Sequence, residues 1–199
     1  MTPYPEIFEL SNIDNWVDRY LRKEILTKEW DLSLWEISQD IFEIPVFTPE
    51  FCDKFILNCE NNPSQKIEHW GHTCDKVESP IELNQIMDLL IDKFMVDAFY
   101  HVWKVDINSV KKMDWIHSYL RFHKNQDLRI RHDETFVTIY LNLDSSRAGG
   151  DLFFPKYNFT LVPKQGHAYF YPGRLTHRYG MTMVKSEKTN NIFTNIDFK

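Results

Sequence analysis

The chain has 199 residues, a formal net charge of −6, 43% hydrophobic residues and 26% charged ones. That is the composition of a folded chain long enough to bury a core, not of a disordered or fibrous one. The acidic balance and the lack of a basic stripe exclude an ordinary nucleic-acid binder, and no run approaches the 18 apolar residues of a membrane span.

The elements follow in chain order. The first ten residues carry Glu6 and Glu9 and two prolines, unlike the basic start and apolar stretch of a secretory signal. Residues 1–40 read as a helical extension, with Trp16, Tyr20 and Leu21 recurring at helical spacing among charges. Residues 41–199 read as the main domain. It opens on an apolar, β-leaning run, 41–47. Thr48-Pro49-Glu50 then starts a helix, with Thr as N-cap and Pro at the first helical position, and Asn61-Asn62-Pro63 stops it. A polar loop follows. It holds His69, His72 and Cys74, three potential zinc ligands without an evident fourth. A second helix is expected from about 82 to 103. Cys52, Cys59 and Cys74 are odd in number, so a full disulfide framework is excluded and buried free thiols are expected.

From Trp115 the texture changes. Short aromatic and β-branched runs cover 115–122, 136–143, 151–154, 159–162, 167–171 and 191–198, separated by Gly, Pro, Asn and Asp. That spacing predicts a sandwich or barrel. Glycine usage agrees. The chain has only six glycines, against roughly 14 at average usage. Five of them (Gly149, Gly150, Gly166, Gly173 and Gly180) fall in this one stretch, so the tight turns are expected there. No G-x-S-x-G, P-loop or G-x-G-x-x-G occurs.

One constellation can carry chemistry. Residues two apart on a strand share a face. His132 and Glu134 can therefore both point inward, and His177 follows a later strand and a Pro-Gly turn. Two imidazoles and one carboxylate on one face, with open positions opposite, form the facial triad of non-haem Fe(II) oxygenases. The other inward pair in this stretch is Arg131 and Asp133, which supplies no imidazole.

The order H-x-[D/E], a strand ending in Leu-Asn, Gly149-Gly150, Pro163-x-x-Gly166 and Pro172-Gly-Arg-Leu-Thr-His177 resembles the double-stranded β-helix dioxygenases. More narrowly it resembles the C-terminal hydroxylase domain of the procollagen lysyl hydroxylases. Residues 172–177 are the most specific match, and 40–53 and 16–21 resemble the segments that lead into that domain. The resemblance implies an α+β fold: a jelly-roll core with supporting N-terminal helices. It implies an Fe(II)- and 2-oxoglutarate-dependent dioxygenase, kept active by ascorbate, that hydroxylates a lysine in a collagen-like peptide. Iron would sit on His132, Glu134 and His177, with Asp133 as the alternative carboxylate. Lys188 would hold the far carboxylate of the co-substrate, with Arg174 and Tyr169 nearby. No nucleic acid and no membrane span are implied, and a homodimer is left open. The family works in the endoplasmic reticulum lumen. The chain as it stands, without a signal, would be cytoplasmic if complete.

The chain departs from the family pattern at three places. An ungapped alignment puts Arg131 where the family has its first histidine and Asp133 at its carboxylate; deleting one residue before Thr138 restores His132 and Glu134. The family has a second histidine after Leu-Thr-His, and that one is its ligand; here the position is Tyr179. The late basic residue is Lys188, or Thr189 without a gap. A second reading therefore keeps the fold and uses the domain for binding or dimerisation.

Overall fold

The computed structural model describes residues 3–69, 72–78, 80–105 and 113–198. Three short helices open the chain: α1 (Ile13–Tyr20), α2 (Lys23–Thr27) and α3 (Trp30–Ser33). Strands β1 (Trp35–Ser38) and β2 (Ile41–Pro45) follow, then α4 (Pro49–Cys59), β3 (Ser64–His69) and β4 (His72–Val77). Helix α5 (Ile81–Leu90) runs through a π turn (Ile91–Met95) into α6 (Val96–Trp103). The rest is β: β5 (Met113–His123), β6 (Leu128–Arg131), β7 (Val137–Asn142), β8 (Leu152–Phe154), β9 (Phe159–Leu161), β10 (His167–Pro172), β11 (Tyr179–Met181) and β12 (Lys188–Phe198).

The strands form two sheets. The larger has the order β1-β2-β10-β7-β12-β5-β4-β3 and the smaller β6-β11-β8-β9. The two-residue period of the strands sorts their side chains into two cores. Val137, Ile139, Leu141, Ala168, Phe170, Ile192 and Ile196 face the helices. Tyr140, Tyr169, Tyr171 and Phe193 face the small sheet, where Leu152, Phe154, Tyr179 and Met181 meet them. Helices, large sheet and small sheet are thus three layers around a jelly-roll core, the α+β fold the sequence predicts.

Residues 3–40 share the first core. Ile7, Trp16, Tyr20, Leu21, Ile25, Trp30 and Leu34 are all buried in it. Residues 35–38 were expected to be helical and instead form β1, which pairs antiparallel with β2 across position 40. Their side chains are exposed or half-buried, so no apolar periodicity announces the strand. Residues 64–77 were expected as a loop and form the hairpin β3–β4 at the edge of the large sheet. Ser64, Gln65 and Lys66 are exposed there, which explains the polar reading. Trp70 and Gly71 and the side chains of His69 and His72 lie outside the described residues. All three thiols are free, and Cys52 and Cys59 are buried. Burial pushes the Cys59 thiol up to about 12, so it stays protonated and unreactive.

The start of α4 forms as its sequence requires. The Thr48 hydroxyl accepts from the Phe51 amide, and Pro49 leads the helix. Gly166 sets the turn into β10. Its φ is +72°, and an added Cβ would lie 2.1 Å from the Phe47 carbonyl oxygen, so only glycine fits. Its amide donates to the Asn142 carbonyl, and its own carbonyl accepts from Val46 and Phe47, binding three segments at one point.

Phe51 ties the N-terminal helices to this frame. It is fully buried, stacks on Phe47 at 4.1 Å between centroids, and meets the edges of Trp16 and Tyr20. Phe51→Ala is expected to cost about 3–5 kcal/mol, in a single unfolding transition measured by urea denaturation. A separate early transition for the N-terminal segment would show that it is not part of this core.

Candidate functional site

The site lies where β6 leaves the small sheet. Arg131 ends β6 and is the cross-strand partner of Tyr179 in β11. Two residues on, Asp133 turns to the same inward side and is 5% exposed. Its carboxylate collects three donors. Arg131 Nη2 donates to Oδ1 at 2.9 Å. The Thr138 hydroxyl, from β7 of the facing sheet, donates to Oδ2 at 2.8 Å. The Tyr179 hydroxyl donates to Oδ2 at 3.0 Å. Burial, and then the Asp133 charge beside it, hold the Tyr179 hydroxyl well above the ordinary tyrosine range. Tyr179 is therefore a neutral donor.

An open cleft of about 560 Å³ runs past this network. It is lined by residues 128–134 in succession, with Arg178 and Asn195. A smaller notch of about 200 Å³ shares Leu128, Arg131, Asp133 and Asn195 with it and reaches inward to Phe122, Tyr179 and Phe193. Two buried polar atoms on these walls, Arg131 Nε and Asn195 Oδ1, have no hydrogen-bond partner.

The expected iron ligands are not brought together. Glu134 is exposed and His132 half-buried on the cleft wall. The alternation at the end of β6 turns Arg131 and Asp133 inward, and so turns their neighbours away. His177 is buried in the turn Arg174–His177. Its Nε2 donates to the Gln39 carbonyl at 3.0 Å, its Nδ1 lies 3.1 Å from the Thr176 hydroxyl, and its ring lies against Tyr157. Among the described residues no three His, Cys, Asp or Glu side chains are placed to hold a metal. Asp133, the alternative carboxylate, already accepts from three donors, and a guanidinium beside it cannot ligate a metal. These residues do not fit iron as they stand.

The expected co-substrate residues are also apart. Lys188 pairs with Glu60. Arg174 is exposed, 3.7 Å from Asp197. Tyr169 is buried, its hydroxyl accepting from the Lys164 amide at 2.9 Å. None of the three lines the cleft or the notch. Thr189, where an ungapped match puts the basic residue, is fully buried. Two contributors had no sequence signal. Thr138 reads as an ordinary strand residue. Arg147 reads as a loop residue, yet its guanidinium reaches Tyr140 at 2.8 Å and Asn142 at 3.0 Å inside the barrel.

No family model matches the chain. It is 22% identical to human procollagen-lysine,2-oxoglutarate 5-dioxygenase 2 over 219 residues, covering 91% of this chain and 26% of that protein. It is 23% identical over 208 residues to mouse procollagen-lysine,2-oxoglutarate 5-dioxygenase 1, covering 92% and 27%. The chain thus spans about a quarter of the length of the curated relatives it matches. Among solved structures it is similar to a Pseudomonas putida prolyl-4-hydroxylase, with a TM-score of 0.63, 8% identity and coverage of 88% of this chain and 99% of that one. It is also similar to the viral collagen prolyl hydroxylase of Paramecium Bursaria Chlorella virus-1, with a TM-score of 0.55, 14% identity and coverage of 82% and 100%. The fold is that of the 2OG-Fe(II) oxygenases, and the sequence resemblance to the procollagen lysyl hydroxylases covers most of the chain.

His177 gives this site a pH signature. Burial holds its imidazole below the ordinary histidine range, so on acidification the unfolded chain takes up the proton before the folded one. Stability is whole above the unfolded value of about 6.5 and falls as pH drops below it. His177→Gln keeps a donor for the Gln39 carbonyl. It is expected to lose less stability than the parent between about pH 7.5 and 5.5, as measured by urea midpoints. An equal loss in both would place the imidazole in solvent.

Proposed function

We propose that this chain is a peptide-binding domain of the prolyl/lysyl hydroxylase type, and that the cleft along β6 holds its peptide without iron chemistry at Asp133. The observation that carries this reading is a carboxylate held by three donors and flanked by a guanidinium instead of an imidazole. Asp133 is buried and already neutralised by Arg131, whereas a metal-binding carboxylate needs imidazoles beside it.

A peptide suits the cleft for two reasons. The relatives' names specify a procollagen lysine and a collagen prolyl residue, both parts of a polypeptide. The seven successive residues along the wall give an extended strand-like surface of roughly 20 Å, enough for several residues of an extended peptide. Beneath the cleft wall, the buried and unpartnered Asn195 Oδ1 and Arg131 Nε–H are one acceptor and one donor, the complement of a peptide group.

The similarity over 91% of the chain favours a second reading: a 2-oxoglutarate-dependent hydroxylase of a peptidyl lysine in a collagen-like substrate, using Fe(II) and ascorbate. That reading requires His132, Glu134 and His177 to converge, and Lys188, Arg174 or Tyr169 to bind the co-substrate.

One assay separates the two. The protein is incubated with Fe(II), 2-oxoglutarate, ascorbate and a lysine-bearing collagen-like peptide. Succinate and peptide mass are followed, and binding of the same peptide is measured by calorimetry. Saturable binding that weakens in Asn195→Leu, with succinate no higher than in the protein-free control, is the expected result. Hydroxylated peptide that disappears with His177→Ala would establish the enzyme instead. Absence of both binding and turnover would remove the peptide from the account.

A further inference from the structure

A facial triad needs a particular layout: two ligands at i and i+2 along one segment, and a third on the strand beside it. The chain has that layout. Arg131 and Asp133 are i and i+2, Tyr179 is the cross-strand partner of Arg131, and all three side chains meet at one carboxylate. What it lacks is the chemistry of two of the three positions.

We propose that Arg131 and Tyr179 stand in place of two metal-binding imidazoles, that the guanidinium takes over the metal's role of neutralising Asp133, and that imidazoles restored at these two positions would give the site a metal again. The proposal rests on the non-iron reading above and goes further, because it names which two side chains exclude the metal.

The substitution is chemically consistent at each atom. A guanidinium cannot lose its proton in a protein and has no lone pair to offer. It does supply the positive charge that a buried carboxylate requires, with directed N–H donors. Tyr179 is fully enclosed, its hydroxyl neutral and donating to Oδ2. Thr138 supplies the third bond from the opposite sheet. The carboxylate thus joins β6, β7 and β11 by three hydrogen bonds, where an ion would have joined its own ligands. His132, one position out of phase on the cleft wall, plays no part.

The test is a reconstruction with a spectroscopic reading. Co(II) is titrated into the parent chain and into the R131H/Y179H double variant, following visible absorption and calorimetry, with 2-oxoglutarate absent. The parent is expected to bind no stoichiometric Co(II), and its melting temperature is expected to be unmoved by a chelator. The double variant is expected to bind one equivalent, on the order of 100-fold tighter or more than the parent, and to melt higher with Co(II) than with chelator. Adding D133N to the double variant should abolish the gain.

A folded double variant that binds no better than the parent would overturn this proposal while leaving the peptide-binding reading intact. Stoichiometric binding by the parent, lost in D133N, would overturn both. If the double variant fails to fold, the parent still decides the matter: a melting temperature lowered by chelator and restored by Co(II) would show that a metal, not Arg131, neutralises the carboxylate.

Discussion

A strand turns consecutive side chains to opposite sides, and at residues 131–134 that two-residue period sets the chemistry of the whole molecule. If His132 and Glu134 faced inward, the barrel would hold an imidazole and a carboxylate. Arg131 and Asp133 face inward instead, and the barrel holds an ion pair. The phase at the site is set after an irregularity in β6: Leu128 pairs with Met181 and Arg131 with Tyr179, three steps along β6 against two along β11, and that one-residue shift decides which side chains face the barrel. The same period divides the large sheet. It sends Val137, Ile139 and Leu141 to the helices and Thr138 and Tyr140 into the barrel, and so places Thr138 within reach of Asp133. Site and core answer to one constraint.

Given that phase, the carboxylate dictates its surroundings. A carboxylate 5% exposed and unpaired would cost several kcal/mol. In this structure a cationic side chain and two hydroxyl donors offset that cost. Arg131 is itself 31% exposed, so its attraction to Asp133 is partly screened and the pair alone would be worth modest stability. The hydroxyls of Thr138 and Tyr179 complete the solvation that the burial removed. The result is a polar centre that specifies how the sheets meet more than it strengthens the fold.

Much of this was legible from residues with strong local physics. Thr48-Pro49 announced α4 because capping is a short-range effect. The glycines announced the turns because positive φ is costly for other residues. The hairpin β3–β4 was not legible, since its first strand is polar and exposed and shows no alternation. Strand β1 was hidden in the same way. The site was legible only as a choice between two registers one residue apart. Local pattern favoured His132 and Glu134, because they are metal ligands by type. The deciding fact was nonlocal: which of these residues pairs with Tyr179, some fifty positions away. Thr138 carried no signal, because its role depends on the distance between two sheets.

The part of the sequence that most resembles the lysyl hydroxylases also has a folding reason to persist. In residues 172–177, Gly173 packs where an added Cβ would lie 2.1 Å from the Thr135 carbonyl oxygen, and its amide donates to Phe136. The Thr176 hydroxyl lies 3.3 Å from the Gly173 carbonyl and 3.1 Å from His177. His177 itself binds the Gln39 carbonyl and so fastens the β1–β2 turn to the end of β10. Each residue holds the backbone near the site without having to touch a metal. Arg131 and Tyr179 are the side chains that meet the carboxylate, and neither belongs to residues 172–177. A shared motif built of turn and packing residues is therefore strong evidence of common architecture. Evidence of shared chemistry has to come from the side chains that meet at Asp133.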